Sequence, residues 1–139
     1  MAAIYVSSGE VRDRMTMENY QSMFVLNGGT ANSITVTRSC YLHVSSGGTA
    51  NFATVSHLGE MYVSNGGKAN STTLKSGGYL HVSSGGTANS TEVDSGGGLH
   101  VSSGGTATQT IINMSGWAVV SAGGKANYTT VAYLGYLGV

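Results

Sequence analysis

The chain repeats itself every 19 residues from end to end. The segment VSSGGTA or a near variant begins at Val25, Val44, Val63, Val82, Val101 and Val120, and the same register reaches back to Val6 and on to Val139. Glycine pairs keep step at Gly28-Gly29, Gly47-Gly48, Gly66-Gly67, Gly85-Gly86, Gly104-Gly105 and Gly123-Gly124. A unit this short cannot bury an apolar face alone, so a fixed period of about 20 residues implies stacked units that share one core. The functional question then becomes what the faces and ends of the stack present.

The repeat Tyr79 to Gly97, YLHVSSGGTANSTEVDSGG, shows how one unit folds. Leu80 and Val82 flank His81, which is strand alternation. Gly85-Gly86 follow, suited to the positive φ of a tight turn. Thr91 to Asp94 alternates again with Val93 on the apolar side, and Ser95-Gly96-Gly97 turns the chain back. The pattern predicts two short strands and two glycine turns per repeat, with no helical period. Stacking aligns Met23, Leu42, Met61, Leu80, Leu99 and Ala118 in one inward column, and Val25, Val44, Val63, Val82, Val101 and Val120 in another. Val36, Val55, Leu74, Val93, Ile112 and Val131 form a third, with Ala31, Ala50, Ala69, Ala88, Ala107 and Ala126 at a corner. The expected fold is all-β: a single-domain parallel β-helix (β-solenoid) of about seven rungs over residues 1–139, about 34 Å long at strand spacing. The general bias of parallel crossovers makes it right-handed. In the column Asp13, Asn32, Asn51, Asn70, Asn89, Thr108 and Asn127, stacked Asn side chains are expected to hydrogen-bond along the axis.

Only 9% of residues are charged and the formal net charge is zero. This removes a broad electrostatic case for nucleic acid or anionic membrane, and neither nucleic-acid binding nor membrane insertion is expected. The single cysteine, Cys40, cannot form an internal disulfide and stands in a column otherwise made mostly of glycine. The first residues, MAAIYVSSGE, have neither a basic start nor an apolar core, so the chain reads as cytoplasmic, or as a piece of a secreted protein displayed at the cell surface.

Departures from the repeat divide the chain. Residues 1–22 read as a charged N-terminal capping rung in which Glu10, Arg12, Asp13, Arg14 and Glu18 protect the strand edge or meet a partner. Residues 23–132 are the regular repeats. Residues 133–139 form an apolar C-terminal edge, with Tyr133, Leu134, Tyr136, Leu137 and Val139 suited to a homodimer contact. Outward positions beside the Leu–Val strand carry Tyr41, His43, Tyr62, Tyr79, His81, His100 and Trp117, a stripe suited to a protein or glycan partner or to ring stacking between rungs.

Chemistry finds little support. His81 and His100 lack a third ligand, so no metal or other cofactor is expected. The glycine runs precede no helix and no GK[ST] motif, so they are not phosphate loops. Serine and histidine are too common here to mark a triad. The Thr35/Thr37 and Thr54/Ser56 pairs fail as a regular ice-binding lattice at Thr73/Lys75, Glu92/Asp94 and Ile111/Asn113.

The unit VSSGGTANSTxVxSGGxLHVSSGGTA resembles the passenger repeats of autotransporters of the adhesin-involved-in-diffuse-adherence type. The resemblance covers residues 23–132, with the full motif at Val44–Ala50, Val82–Ala88 and Val101–Ala107. It implies a β-helical stalk that carries adhesion at the bacterial surface, with heptose on repeat hydroxyls such as Ser45, Ser83 and Thr87. It also implies a signal peptide and a C-terminal membrane barrel, which this sequence does not show. The expected function is a non-enzymatic interaction scaffold that binds a protein or glycan through a rigid face. The alternative is a stand-alone phage or mobile-element protein, of the anti-CRISPR or other anti-defence type, that acts as a dimer and inhibits a host protein by occlusion.

Overall fold

A computed structural model describes residues 3–139 as a parallel β-solenoid with no helix among them. Strands of four residues, from Ala3–Val6 to Trp117–Val120, stack with Tyr136–Gly138 into an eight-stranded sheet. Three-residue strands from Val11–Asp13 to Lys125–Asn127 form a seven-stranded second sheet, and two-residue strands from Thr16–Met17 to Thr130–Val131 a seven-stranded third. All pairing is parallel and offset by one repeat: Met61 lies beside Leu80, Val63 beside Val82, Ala69 beside Ala88.

Each rung therefore has three strands and three corners, not two of each. The unforeseen strand holds the alanine column, which sits mid-strand in the second sheet rather than at a corner. The unforeseen corner is one residue wide. It falls at Ser33, Phe52, Ser71, Ser90, Gln109 and Tyr128, all left-handed with φ between 52° and 58°. A left-handed residue turns its amide towards the next rung. Phe52 N donates to Asn70 O at 2.9 Å and Ser71 N to Asn89 O at 2.8 Å. The new hydrogen bond offsets the strain that would otherwise call for glycine.

The glycine pair divides its labour. Ser84 and Gly85 hold positive φ, 42° and 86°, which closes a tight turn from Gly86 N to Ser83 O at 2.8 Å. Gly86 is needed for space: a Cβ there would lie 2.2 Å from Val63 O on the rung before. The second glycine thus lets the chain pass directly over the preceding strand.

Inside, Met23, Leu42, Met61, Leu80 and Leu99 pack with Val25, Val44, Val63, Val82 and Val101 and with Val36, Val55, Leu74, Val93 and Ile112, all at most 1% exposed. Cys40 is buried with them. A further inward column holds Ile34, Ala53, Thr72, Thr91 and Thr110, also 1% exposed. The hydroxyls of Thr72, Thr91 and Thr110 have no hydrogen-bond partner. The Asn ladder forms as expected, from Asn51 Nδ2 to Asn32 Oδ1 at 2.9 Å, Asn70 to Asn51 at 2.9 Å and Asn89 to Asn70 at 3.1 Å.

The buried threonines give a direct test of the core. Thr91→Val keeps the side-chain shape and removes an unpartnered buried hydroxyl, which stabilises by about 1 kcal/mol. Thermal unfolding should rise by about 2–4 °C. A fall in melting temperature would mean that the hydroxyl is satisfied.

Candidate functional site

The stripe stands on the outward positions of the first sheet, where strict register puts equivalent side chains directly over one another. Tyr5, Phe24, His43, Tyr62 and His81 stack as one continuous column of rings. Successive centroids are 5.2, 4.7, 5.2 and 4.8 Å apart, with interplanar angles of 16° or less. The spacing is set by strand separation, which falls within the range for stacked aromatic rings. His100 leaves the column, tilted 59° from His81 at 6.1 Å, and its Nε2 lies 3.1 Å from Ser121 Oγ. Among the described residues no three His, Cys, Asp or Glu side chains are placed to hold a metal ion.

A second, looser row runs beside the first. Tyr41 lies 6.3 Å from His43 and 6.4 Å from Tyr62. Tyr79 and Trp117 meet at 5.8 Å across Gly98, whose missing side chain is what lets the indole lie down. A Cβ on Gly98 would come within 2.2 Å of the Trp117 ring. Trp117 is thus partly a cover for backbone; it and Phe24, Tyr41, His43, Tyr62, Tyr79, His81 and His100 are half-buried, and Tyr5 is exposed.

Glu60 ties the two rows together, a role that the repeat pattern does not single out because this position varies among Ser22, Tyr41, Tyr79, Gly98 and Trp117 on other rungs. Tyr62 Oη donates to Glu60 Oε2 at 2.9 Å, and His81 Nε2 lies 3.8 Å from Glu60 Oε1. Burial, the hydrogen bond and the Glu60 charge push the Tyr62 hydroxyl up to about 12, so it stays protonated and donates. Burial lowers the pKa of His43. Burial also lowers that of His81, with Glu60 opposing and His100 assisting. His81 is therefore neutral at pH 7, and its contact with Glu60 is not an ion pair there.

The other predicted site residues lie at the two ends. Glu10, Arg12, Asp13, Arg14 and Glu18 are all exposed. Glu10 Oε2 accepts from Ser7 N at 2.8 Å, while Arg14 pairs loosely with Asp13 at 3.9 Å and Glu18 with Arg38 at 4.0 Å. Val6 and Met17 on this first rung are nevertheless fully buried. At the far end Tyr133, Leu134, Tyr136 and Val139 are 81%, 63%, 60% and 102% exposed, and Leu137 is half-buried against the core.

Similar rungs stacked in register, with ordered surface columns, define a repeat solenoid. The family described as "Adhesin of bacterial autotransporter system, probable stalk" matches residues 18–78 and 81–135, and the chain belongs to that family. Among solved structures, the crystal structure of the TibC-catalyzed hyper-glycosylated TibA fragment 55–350 is similar, with a TM-score of 0.68 and 28% identity. The likeness covers 98% of this chain and 63% of that one, so the chain spans less than two thirds of the fragment. No curated protein matches the sequence.

The two imidazoles in the stack make stability depend on pH. Their folded pKa values lie below the ordinary 6.5, so the folded state prefers them neutral. Their contribution is complete above about pH 6.5 and is lost as pH falls through the lowered values. The melting temperature should hold steady from about pH 8 to 7 and decline towards pH 5. The double variant His43→Phe, His81→Phe should flatten that decline. Parallel declines in both proteins would place the titration elsewhere.

Proposed function

We propose that this chain is a non-enzymatic section of a bacterial surface adhesin, a rigid rod that presents its ring column to a protein or glycan. The observation that carries the reading is the unbroken stack from Tyr5 to His81. Stacking fixes the rings before any partner arrives, so little side-chain entropy remains to be lost on contact. The family and the TibA likeness support adhesion and display at the cell surface as part of a longer protein. The charged first rung acts as a cap that discourages strand addition at that end.

Binding of the purified chain to bacterial and epithelial cells, measured alongside capture from bacterial lysate, tests this reading. The triple variant Tyr62→Ser, His81→Ser, His100→Ser should keep its circular dichroism and lose binding by roughly tenfold or more. Unchanged affinity would dismiss the ring column as the interface. One stoichiometric cytoplasmic partner, without cell binding, would replace adhesion with inhibition by occlusion.

The C-terminal edge is proposed to pair with a second copy. Exposed apolar side chains support it: Val131, Tyr133 and Leu134 are 42%, 81% and 63% exposed. Light scattering of this chain should report a dimer, and Leu137→Asp a monomer with little loss of melting temperature. A monomeric parent at high concentration would end the proposal.

A further inference from the structure

The corner between the third and first sheets changes character along the rod. On its first three rungs both central turn residues are left-handed: Asn19 and Tyr20 (φ 60° and 61°), Arg38 and Ser39 (50° and 60°), His57 and Leu58 (45° and 67°). On later rungs only one residue per turn is left-handed: Gly77, Gly96, Ser115 and Leu134. The hydrogen bonding does not require the change. Leu58 N donates to Gly77 O at 2.9 Å, and Gly77 N makes the equivalent bond to Gly96 O at 2.8 Å. Glycine thus serves the turn equally well, whereas a bulky residue at positive φ costs about 1–2 kcal/mol. Tyr20, Arg38, His57 and Leu58 accept that strain together on adjacent rungs, although Tyr20 and Leu58 are 62% and 64% exposed and contribute little to the core.

The same six residues line an open cleft of about 390 Å³. That lies at the small end of ligand clefts, roughly 300–1,000 Å³. Left-handed pairs on three adjacent rungs bring six side chains of differing chemistry to the rim of one concavity. Their chemistry is specific. Tyr20 offers a ring face, Leu58 an apolar flank, and Asn19 and Ser39 hydrogen-bonding groups. His57 Nδ1 is engaged with Ser56 Oγ at 3.1 Å, which leaves its second ring nitrogen to a ligand. Arg38 supplies the cation. Its side chain is 71% exposed, and its contact with Glu18 is 4.0 Å long, so the fork remains open to a carboxylate.

We propose that this corner cleft binds an acidic saccharide, a sugar ring carrying a carboxylate. Its ring packs on Tyr20 beside Leu58, its carboxylate meets Arg38, and its hydroxyls meet Asn19, Ser39 and His57. The cleft shares no residue with the ring column, and the proposal stands independently of the adhesin reading. A shallow site that sets a ring face beside a single guanidinium suits one charged sugar better than an acidic peptide, which needs several cations.

The full-length chain titrated with N-acetylneuraminic acid and glucuronic acid, with galactose as the neutral comparison, tests the proposal by amide chemical-shift mapping. Both acids should shift amides confined to residues 19–20, 38–39 and 57–58, and bind roughly tenfold more tightly than galactose. Arg38→Gln should abolish that preference. Leu58→Gly separates binding from folding. It should raise the melting temperature by about 2–4 °C through relief of strain while weakening the acids. The proposal is overturned if neither acid shifts these amides, if a glutamate-rich peptide does so and the sugars do not, or if Leu58→Gly lowers the melting temperature.

Discussion

Everything in this molecule depends on parallel pairing offset by one repeat. Because Val63 sits beside Val82 and Ala69 beside Ala88, each side chain meets its own equivalent on the rungs above and below. One unit then needs to solve its packing once, and neighbours repeat the solution. The pairing is possible only where the chain can tuck against the rung before it. At Gly86 the carbonyl of Val63 leaves no room for a Cβ, and the second glycine of every pair faces the same constraint. The glycines are therefore spacers that set the rung height as well as flexible links.

Identical stacking makes interior and surface alike into columns. In the core it yields the apolar ladders. At a polar position it yields the Asn32–Asn89 chain of amides, and on the outward face of the first sheet it yields the ring column. The last of these is at once structure and surface. Stacking rigidifies the rings, and half-burial pushes His43 and His81 towards the neutral form that the stack prefers. A partner would meet an ordered, weakly charged strip, with Glu60 as its one carboxylate beside the rings.

Much of this was legible from residues alone. The Leu–Val alternation in Leu80 and Val82 identifies the first strand and its inward face, and the stripe residues follow from the same register. The alanine strand and its corner were not legible, because one position there holds residues as different as Ser33, Phe52, Gln109 and Tyr128 and no glycine. Their left-handed conformation is sustained by an inter-rung hydrogen bond, which is a tertiary contact. Alternation sets Thr91 on the face of Val93, but that Thr72, Thr91 and Thr110 are sealed from water follows only from the three-sided cross-section. The bridging position of Glu60 was hidden too, since its contacts with Tyr62 and His81 depend on side-chain placement across two columns.

The sequence by itself determined the repeat, the parallel solenoid, the principal core columns and the membership of the outward stripe, because each follows from a strict period and strand alternation. Tertiary structure decided how many sides a rung has, and which rings stack and which, like His100, turn away. It also decided which corner becomes a cleft. The physical reason is the same in each case: periodicity specifies who stands above whom. The path between corners depends on backbone hydrogen bonds to the adjacent rung, and those exist only once the rungs are stacked.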